Sequence, residues 1–325
     1  SFKTRERVYE EAHRLIAFME TVTHDGDTDA ESTIHLYDPI TNEWTFNRTP
    51  KMPNLDGSLA VIGRNVYFIG GLADNVDSTE YRHKCLVFDS QANEWSETSP
   101  MHDARRNPAV GVIDGKIYAA GGNVTYEDAL GTMETYNPLD DQPEWSASKS
   151  MIRKRSWAAS CVLDGKLYVL GGCVGDLYWN DGECYDPETD SWTLIAPLNK
   201  ARNGFKAASL NGHIYAVGET TYGDYPRSDV ERYDTASDTW TTLNHMNLEG
   251  SIDLVVCCAR LFAVKCYWGN GHMISIAGYQ SESNTWSTGV LPDQISLCNR
   301  NLHVFSLPAP ISSVVAIQQY GTNLY

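Results

Sequence analysis

The chain has no run approaching ~18 apolar residues, so no transmembrane helix is expected and a membrane is not expected as a partner. Its start, Ser1-Phe2-Lys3-Thr4-Arg5-Glu6-Arg7, has no apolar core of the kind a secretory signal needs. An initiator Met is also missing there, as expected for a domain excised from a longer protein. Positive charge is scarce: 25 Lys and Arg stand against 42 Asp and Glu, a formal net charge of −17. A surface that holds phosphates usually needs the opposite field, so nucleic acid is not expected either. Eight cysteines are present but none forms a C-x-x-C pair, and most lie in apolar, strand-like runs. Buried free thiols in a reducing compartment are the expectation, which places the chain in the cytoplasm, with the nucleus as the alternative. Cys173 follows Gly171-Gly172 at a loop mouth, and a redox role stays open for it alone. Chemical motifs are missing too. The nine histidines form no H-x-H or H-E-x-x-H, and no Walker A loop, nucleophile elbow or Gly-rich dinucleotide fingerprint occurs. No catalytic residue, metal or cofactor is therefore expected.

What is present in abundance is repetition. Trp44, Trp95, Trp145, Trp192, Trp240 and Trp286 recur at intervals of 46 to 51 residues. Each follows an aromatic partner, in order Tyr37, Phe88, Tyr136, Tyr185, Tyr233 and Tyr279. Five of the gaps are seven residues, and the sixth is lengthened by the insertion Asp140-Asp141-Gln142-Pro143. Between the partners run turn segments such as Asp186-Pro187-Glu188-Thr189-Asp190, in which Pro presets φ and Asp bonds back to nearby backbone. Upstream lie short apolar runs ending in glycine: Val66 to Gly71, Ile117 to Gly122, Leu167 to Gly172 and, degenerately, Ile214 to Gly218. A further strand and turn precede each, as in Ala158 to Gly165. Four strands per repeat of this length predict an all-β propeller of six blades, four antiparallel strands to a blade. Helical periodicity is weak and confined to Arg5–Phe18, where Val8, Ala12 and Leu15 suit a short helix or a linker.

A Gly-Gly after an apolar strand, then an aromatic 13 to 17 residues on, then Trp, resembles the kelch repeat over almost the whole chain. The match is uneven. Repeat two has Phe88 for Tyr, repeat five has Gly218-Glu219 for Gly-Gly, and repeats one and six lack the glycine pair. The expected division is a linker or short helix at 1–14 and a kelch β-propeller over 15–325. Its blades fall near 15–50 plus 301–307, 57–100, 107–150, 156–197, 204–245 and 251–290. Repeat one begins at its second strand, and an open seam would expose strand edges. Leu302-His303-Val304-Phe305-Ser306-Leu307 is expected to close it, as kelch propellers are known to close.

If the aromatics and glycines are scaffold, function belongs to loops that the scaffold presents. Three leading loops, 101–107, 151–157 and 198–204, hold seven Lys or Arg and a single Asp, a local reversal of sign. Arg105, Arg106, Asn107, Arg153, Arg155, Ser156, Trp157, Arg202 and Asn203 are the candidates there. The loops after the Gly-Gly strands add Asn123, Tyr126, Tyr178, Trp179, Tyr222, Tyr225, Arg227 and Trp268. Arg with Tyr and Trp is hot-spot composition, and Arg forks match carboxylates. The expected partner is a protein or peptide bearing acidic residues or phosphate. For Arg105, Arg155 and Arg202 a second reading stays open, as braces of the propeller. Tyr178 and Trp179 could equally cover its rim.

The resemblance implies more. The chain looks like the substrate-binding propeller of BTB-kelch proteins, whose BTB and BACK regions, absent here, recruit a cullin-3 ubiquitin ligase. Two alternatives are an actin- or cytoskeleton-binding kelch protein and a propeller enzyme of oxidase type.

Overall fold

The computed structural model describes residues 14–22, 29–41, 43–53, 57–71, 83–218, 229–244, 246, 252–266, 274–290, 301–308 and 315–316. Six antiparallel sheets of four or more strands follow one another along the chain, and each is one blade. In blade 4 the strands run outward in the order Ala159–Leu163, Lys166–Leu170, Gly182–Asp186 and Ser191–Ile195. Blades 2, 3, 5 and 6 repeat this order, their innermost strands being Ser58–Ile62, Ala109–Ile113, Lys206–Leu210 and Ile252–Cys257.

Blade 1 is assembled from both ends of the chain. Asn301–Pro308 lies innermost and pairs with Arg14–Val22, placing Leu15 opposite Leu307 and Ala17 opposite Phe305. Asp29–Asp38 and Glu43–Pro53 complete the blade, with the short Val315–Ala316 beyond them. The innermost strands touch their neighbours in cyclic order, so the C-terminal strand closes the ring as expected. Arg14–Val22 is strand, which overturns the helical reading for residues 14–18, while residues 1–13 lie outside the described set.

A two-residue side-chain period explains why the second strand of each blade is a continuous apolar run. In Lys116–Ala120, Ile117 and Ala119 pack with Tyr67 and Ile69 of blade 2. Tyr118 and Ala120 point the other way, against Leu167 and Val169 of blade 4. Both faces are buried because a blade has a neighbour on each side. The core therefore lies between blades rather than at the axis.

The repeating aromatics occupy the same seams. Tyr185 and Trp192 face each other across two strands, with ring centroids 5.2 Å apart. The Trp192 indole N–H donates to the Lys149 carbonyl of blade 3 at 2.8 Å. Trp145 reaches back to Ser99 and Trp240 to Ala196 in the same way. Tyr118 of blade 3 packs on Tyr185 of blade 4 at 5.7 Å, linking blades through the second strand as well. The turns between these strands close as the sequence suggests: the Asp186 carboxylate accepts the Glu188 amide at 3.0 Å, and Asp190 stands at φ +46°.

Candidate functional site

Among the described residues, the loops that lead into the innermost strands of blades 3, 4 and 5 share one end of the propeller with the loops that follow Gly121-Gly122 and Gly171-Gly172. Gly171 and Gly172 show what joins them. Their φ values are +58° and +89°, and a Cβ on either would meet the Arg202 or Ser156 carbonyl oxygen at 2.6 Å. The Gly172 amide instead donates to the Arg202 carbonyl at 2.8 Å. Only glycine permits this approach.

From that anchored backbone the arginine at the same repeat position in blades 3, 4 and 5 turns inward. The Arg155 guanidinium donates to the Gly171 carbonyl at 2.6 Å, the Asp181 carboxylate at 3.1 Å and the Glu183 carboxylate at 2.8 Å. Arg105 repeats the pattern with Gly121, Asp103 and Glu134, and Arg202 with Gly218 and Glu231. All three arginines are at most 1% exposed. The carboxylates serve the loops as well. Glu183 accepts the Ile152 and Arg153 amides, and Glu134 accepts those of His102 and Asp103. Burial pushes the Glu134 pKa up, but those two amides, the His102 ring and the Arg105 charge together hold it below the ordinary carboxylate value.

This corrects the expectation that Arg105, Arg155 and Arg202 meet a partner. Their forks are spent on buried carboxylates and carbonyls, so they brace the propeller. The basic face is corrected with them. Lys200 pairs with Asp229 at 2.7 Å, and Arg153 pairs with Asp181 while its guanidinium lies 4.9 Å from the centre of the Trp179 ring. Acids on or just before the third strands, with Asp103 in the leading loop, thus cancel most of the local positive charge.

What remains is a cavity of about 530 Å³ over blades 3 to 5. Six of the predicted residues line it together: Arg106, Asn123, Tyr126, Trp157, Tyr178 and Asn203. Asn123 forms a small bridge with Arg106, their backbones exchanging hydrogen bonds at 2.9 Å, and its side-chain amide donates to the Thr125 carbonyl. Tyr126 is 63% exposed, and its hydroxyl donates to Asp176 at 2.8 Å. That bond pushes its pKa up to about 12, so the phenol stays neutral at physiological pH. Arg106 lies 6.0 Å from the centre of the Trp157 indole.

The other candidates fall elsewhere. Asn107 is half-buried beside the cavity, outside its lining. Ser156 is only 2% exposed, with its hydroxyl given to the Cys173 carbonyl, which corrects its assignment as a contact residue. Trp179 lies under Arg153. Tyr222, Tyr225, Arg227 and Trp268 lie outside the described residues. Sequence reasoning missed Thr125, and Ile252 at the start of blade 6, as parts of the wall. It also missed the buried glutamates. Cys173 contributes to the wall but is 5% exposed, its sulfur 3.8 Å from the Ser156 hydroxyl and 4.0 Å from the Asn203 amide. Cys85, Cys161, Cys184 and Cys257 are buried free thiols with raised pKa values, Cys85 to about 12, because burial disfavours the thiolate.

Comparison with known proteins gives two kinds of match. The family model described as "KLHDC2/KLHL20/DRC7 Kelch-repeats domain" matches residues 56–258. Human Kelch-like protein 30 is 41% identical over 166 residues, covering 50% of this chain and 28% of that protein. Human Kelch-like protein 21 is 30% identical over 280 residues, covering 83% of this chain and 42% of that protein. Human Kelch-like protein 23 is 28% identical over 239 residues, covering 59% of this chain and 42% of that protein. The chain thus spans less than half the length of the curated relatives it matches.

Proposed function

We propose, from the premise that this chain belongs to the kelch-repeat propeller family, that it captures a protein by seating one of that protein's peptide segments in the cavity over blades 3 to 5. The observation that carries the reading is the convergence of Arg106, Tyr126, Trp157 and Tyr178 on one opening of about 530 Å³. That volume falls within the range of about 300–1,000 Å³ typical of binding pockets.

The segment bears a carboxylate or a phosphate. Arg106 brings a guanidinium to the described part of the wall, and its planar fork suits either group. Resemblance to BTB-kelch proteins supports the finer role of substrate-recognition module for a cullin-3 ligase adaptor, with the ligase held by regions outside this chain.

The test is affinity capture from a cell lysate with wild type beside Arg106→Glu, both first shown to melt at the same temperature. The captured protein is expected to be lost with the variant and to weaken as salt rises. Identical capture by both proteins would remove the acidic-segment reading. Depleting the full-length protein in cells should lengthen the captured partner's half-life. An unchanged half-life would remove the adaptor role and leave capture standing.

A further inference from the structure

We propose that Trp157 sets which segment the cavity accepts, by seating an apolar side chain of the peptide beside the acidic group that Arg106 receives. The inference deepens the peptide-binding reading above and rests on it.

It begins from a backbone requirement. The residue two before the innermost strand has φ +49° at Asn107, +55° at Trp157 and +64° at Gly204. The fold thus needs the left-handed conformation at this position in blades 3, 4 and 5. Glycine adopts it without steric cost and asparagine at low cost, whereas a bulky side chain is an outlier there. Blade 4 carries the bulkiest residue of all.

Packing does not explain the choice. The repeat-defining Trp145 and Trp192 are 3% and 8% exposed, while Trp157 is 39% exposed. Nor is its conformation loose. Ser156 exchanges backbone hydrogen bonds with Cys173 at 3.0 and 2.9 Å, and the Trp157 carbonyl accepts the Gly204 amide at 2.9 Å. The backbone is pinned on both sides, so the indole is held at the cavity wall. A strained residue kept in place by its surroundings, with its side chain on a binding cavity, is the pattern expected where strain serves recognition.

The surroundings indicate the occupant. Arg106 lies 6.0 Å from the indole centre, and Tyr126 and Tyr178 belong to the same wall. An indole holds apolar groups with little loss of side-chain freedom, and the adjacent guanidinium selects a carboxylate. The class is therefore a short peptide with an apolar residue within two positions of an Asp or Glu.

The experiment selects a phage-displayed library of random dodecamers on the wild-type chain. It then measures the affinity of the synthesised winners for wild type, Trp157→Gly, Trp157→Asn and Trp157→Phe by fluorescence polarisation, with a melting curve for each protein. We expect the winners to pair an acid with an apolar residue. Trp157→Gly and Trp157→Asn should bind them about 30-fold or more weakly, as befits loss of a hot-spot residue. Both should melt at or above the wild-type temperature, since strain is relieved, and Trp157→Phe should keep most of the affinity. Acidic winners that bind Trp157→Gly as tightly as wild type would overturn this inference and leave the peptide-binding reading intact. A fall of several degrees in the melting of both Trp157→Gly and Trp157→Asn would overturn it by assigning Trp157 to the fold. Failure to enrich any peptide would overturn the peptide-binding reading and this inference together.

Discussion

Replacing Arg155 by methionine keeps most of the side chain's volume and removes its charge. The structure sets what that removal costs. Glu183 is fully buried, and Arg155 is the cation whose fork reaches it, at 2.8 Å. The carbonyls of Gly171 and Asp181 lose donors at 2.6 and 3.2 Å in the same step. Removing one partner of a buried pair and leaving the other charged costs about 3–5 kcal/mol. For a chain of this size that corresponds to a fall in melting temperature of roughly 4–8 °C. Calorimetry and denaturant titration of Arg155→Met, Glu183→Gln and the double variant would measure it. The double variant is expected to lose much less than the sum of the two single losses, because the charges are coupled. Arg155→Met melting within a degree of wild type, or additive losses, would refute the brace and return Arg155 to the list of contact residues.

Two other predictions follow from the same geometry. Gly172→Ala should lower stability by more than about 1 kcal/mol, because φ +89° and a Cβ 2.6 Å from the Ser156 carbonyl oxygen both oppose it. A thermal melt at or above wild type would contradict that. Stability should also fall with acid in two windows. Burial lowers the His35 pKa from 6.5 to about 4, so its neutral form favours the fold above 6.5 and that contribution is lost as pH falls toward 4. The loss reaches about 3 kcal/mol at pH 4. Glu134, whose folded pKa is depressed, contributes fully above its unfolded value of 4.5 and loses that contribution only below it. His35→Leu should flatten the melting profile between pH 6.5 and 4.5, and Glu134→Gln only below 4.5. The opposite assignment of windows would show the signs to be wrong.

The scaffold was legible in the sequence because its requirements are local and repeated. Tyr185 and Trp192 stand seven residues apart since a hairpin must bring them face to face, and Gly171-Gly172 recurs since a carbonyl passes within reach of any Cβ. The closing strand was legible from an unmatched apolar run at 302–307. The site was harder to read. Counting charge within single loops suggested a basic face, but the neutralising carboxylates lie 28 or 29 residues further on, in another strand. A signal for them existed. Glu134, Glu183 and Glu231 each stand two residues before the repeat Tyr, and only in the blades whose leading loops carry Arg105, Arg155 and Arg202. That correlation pairs the residues without any structure. The left-handed backbone of Trp157 had a fainter signal, the Asn107 and Gly204 that stand at the same place in the neighbouring repeats, because the tryptophan itself hides the requirement.

Hydrogen–deuterium exchange on the chain, alone and saturated with a selected dodecamer, tests most directly whether loops on this end of the propeller do the gripping. Slower exchange is expected at 106, 123–126, 157, 175, 178 and 203–204. Protection confined to the opposite hairpins at 114–115 and 164–165, or to the outer strands 94–97 and 239–242, would contradict it.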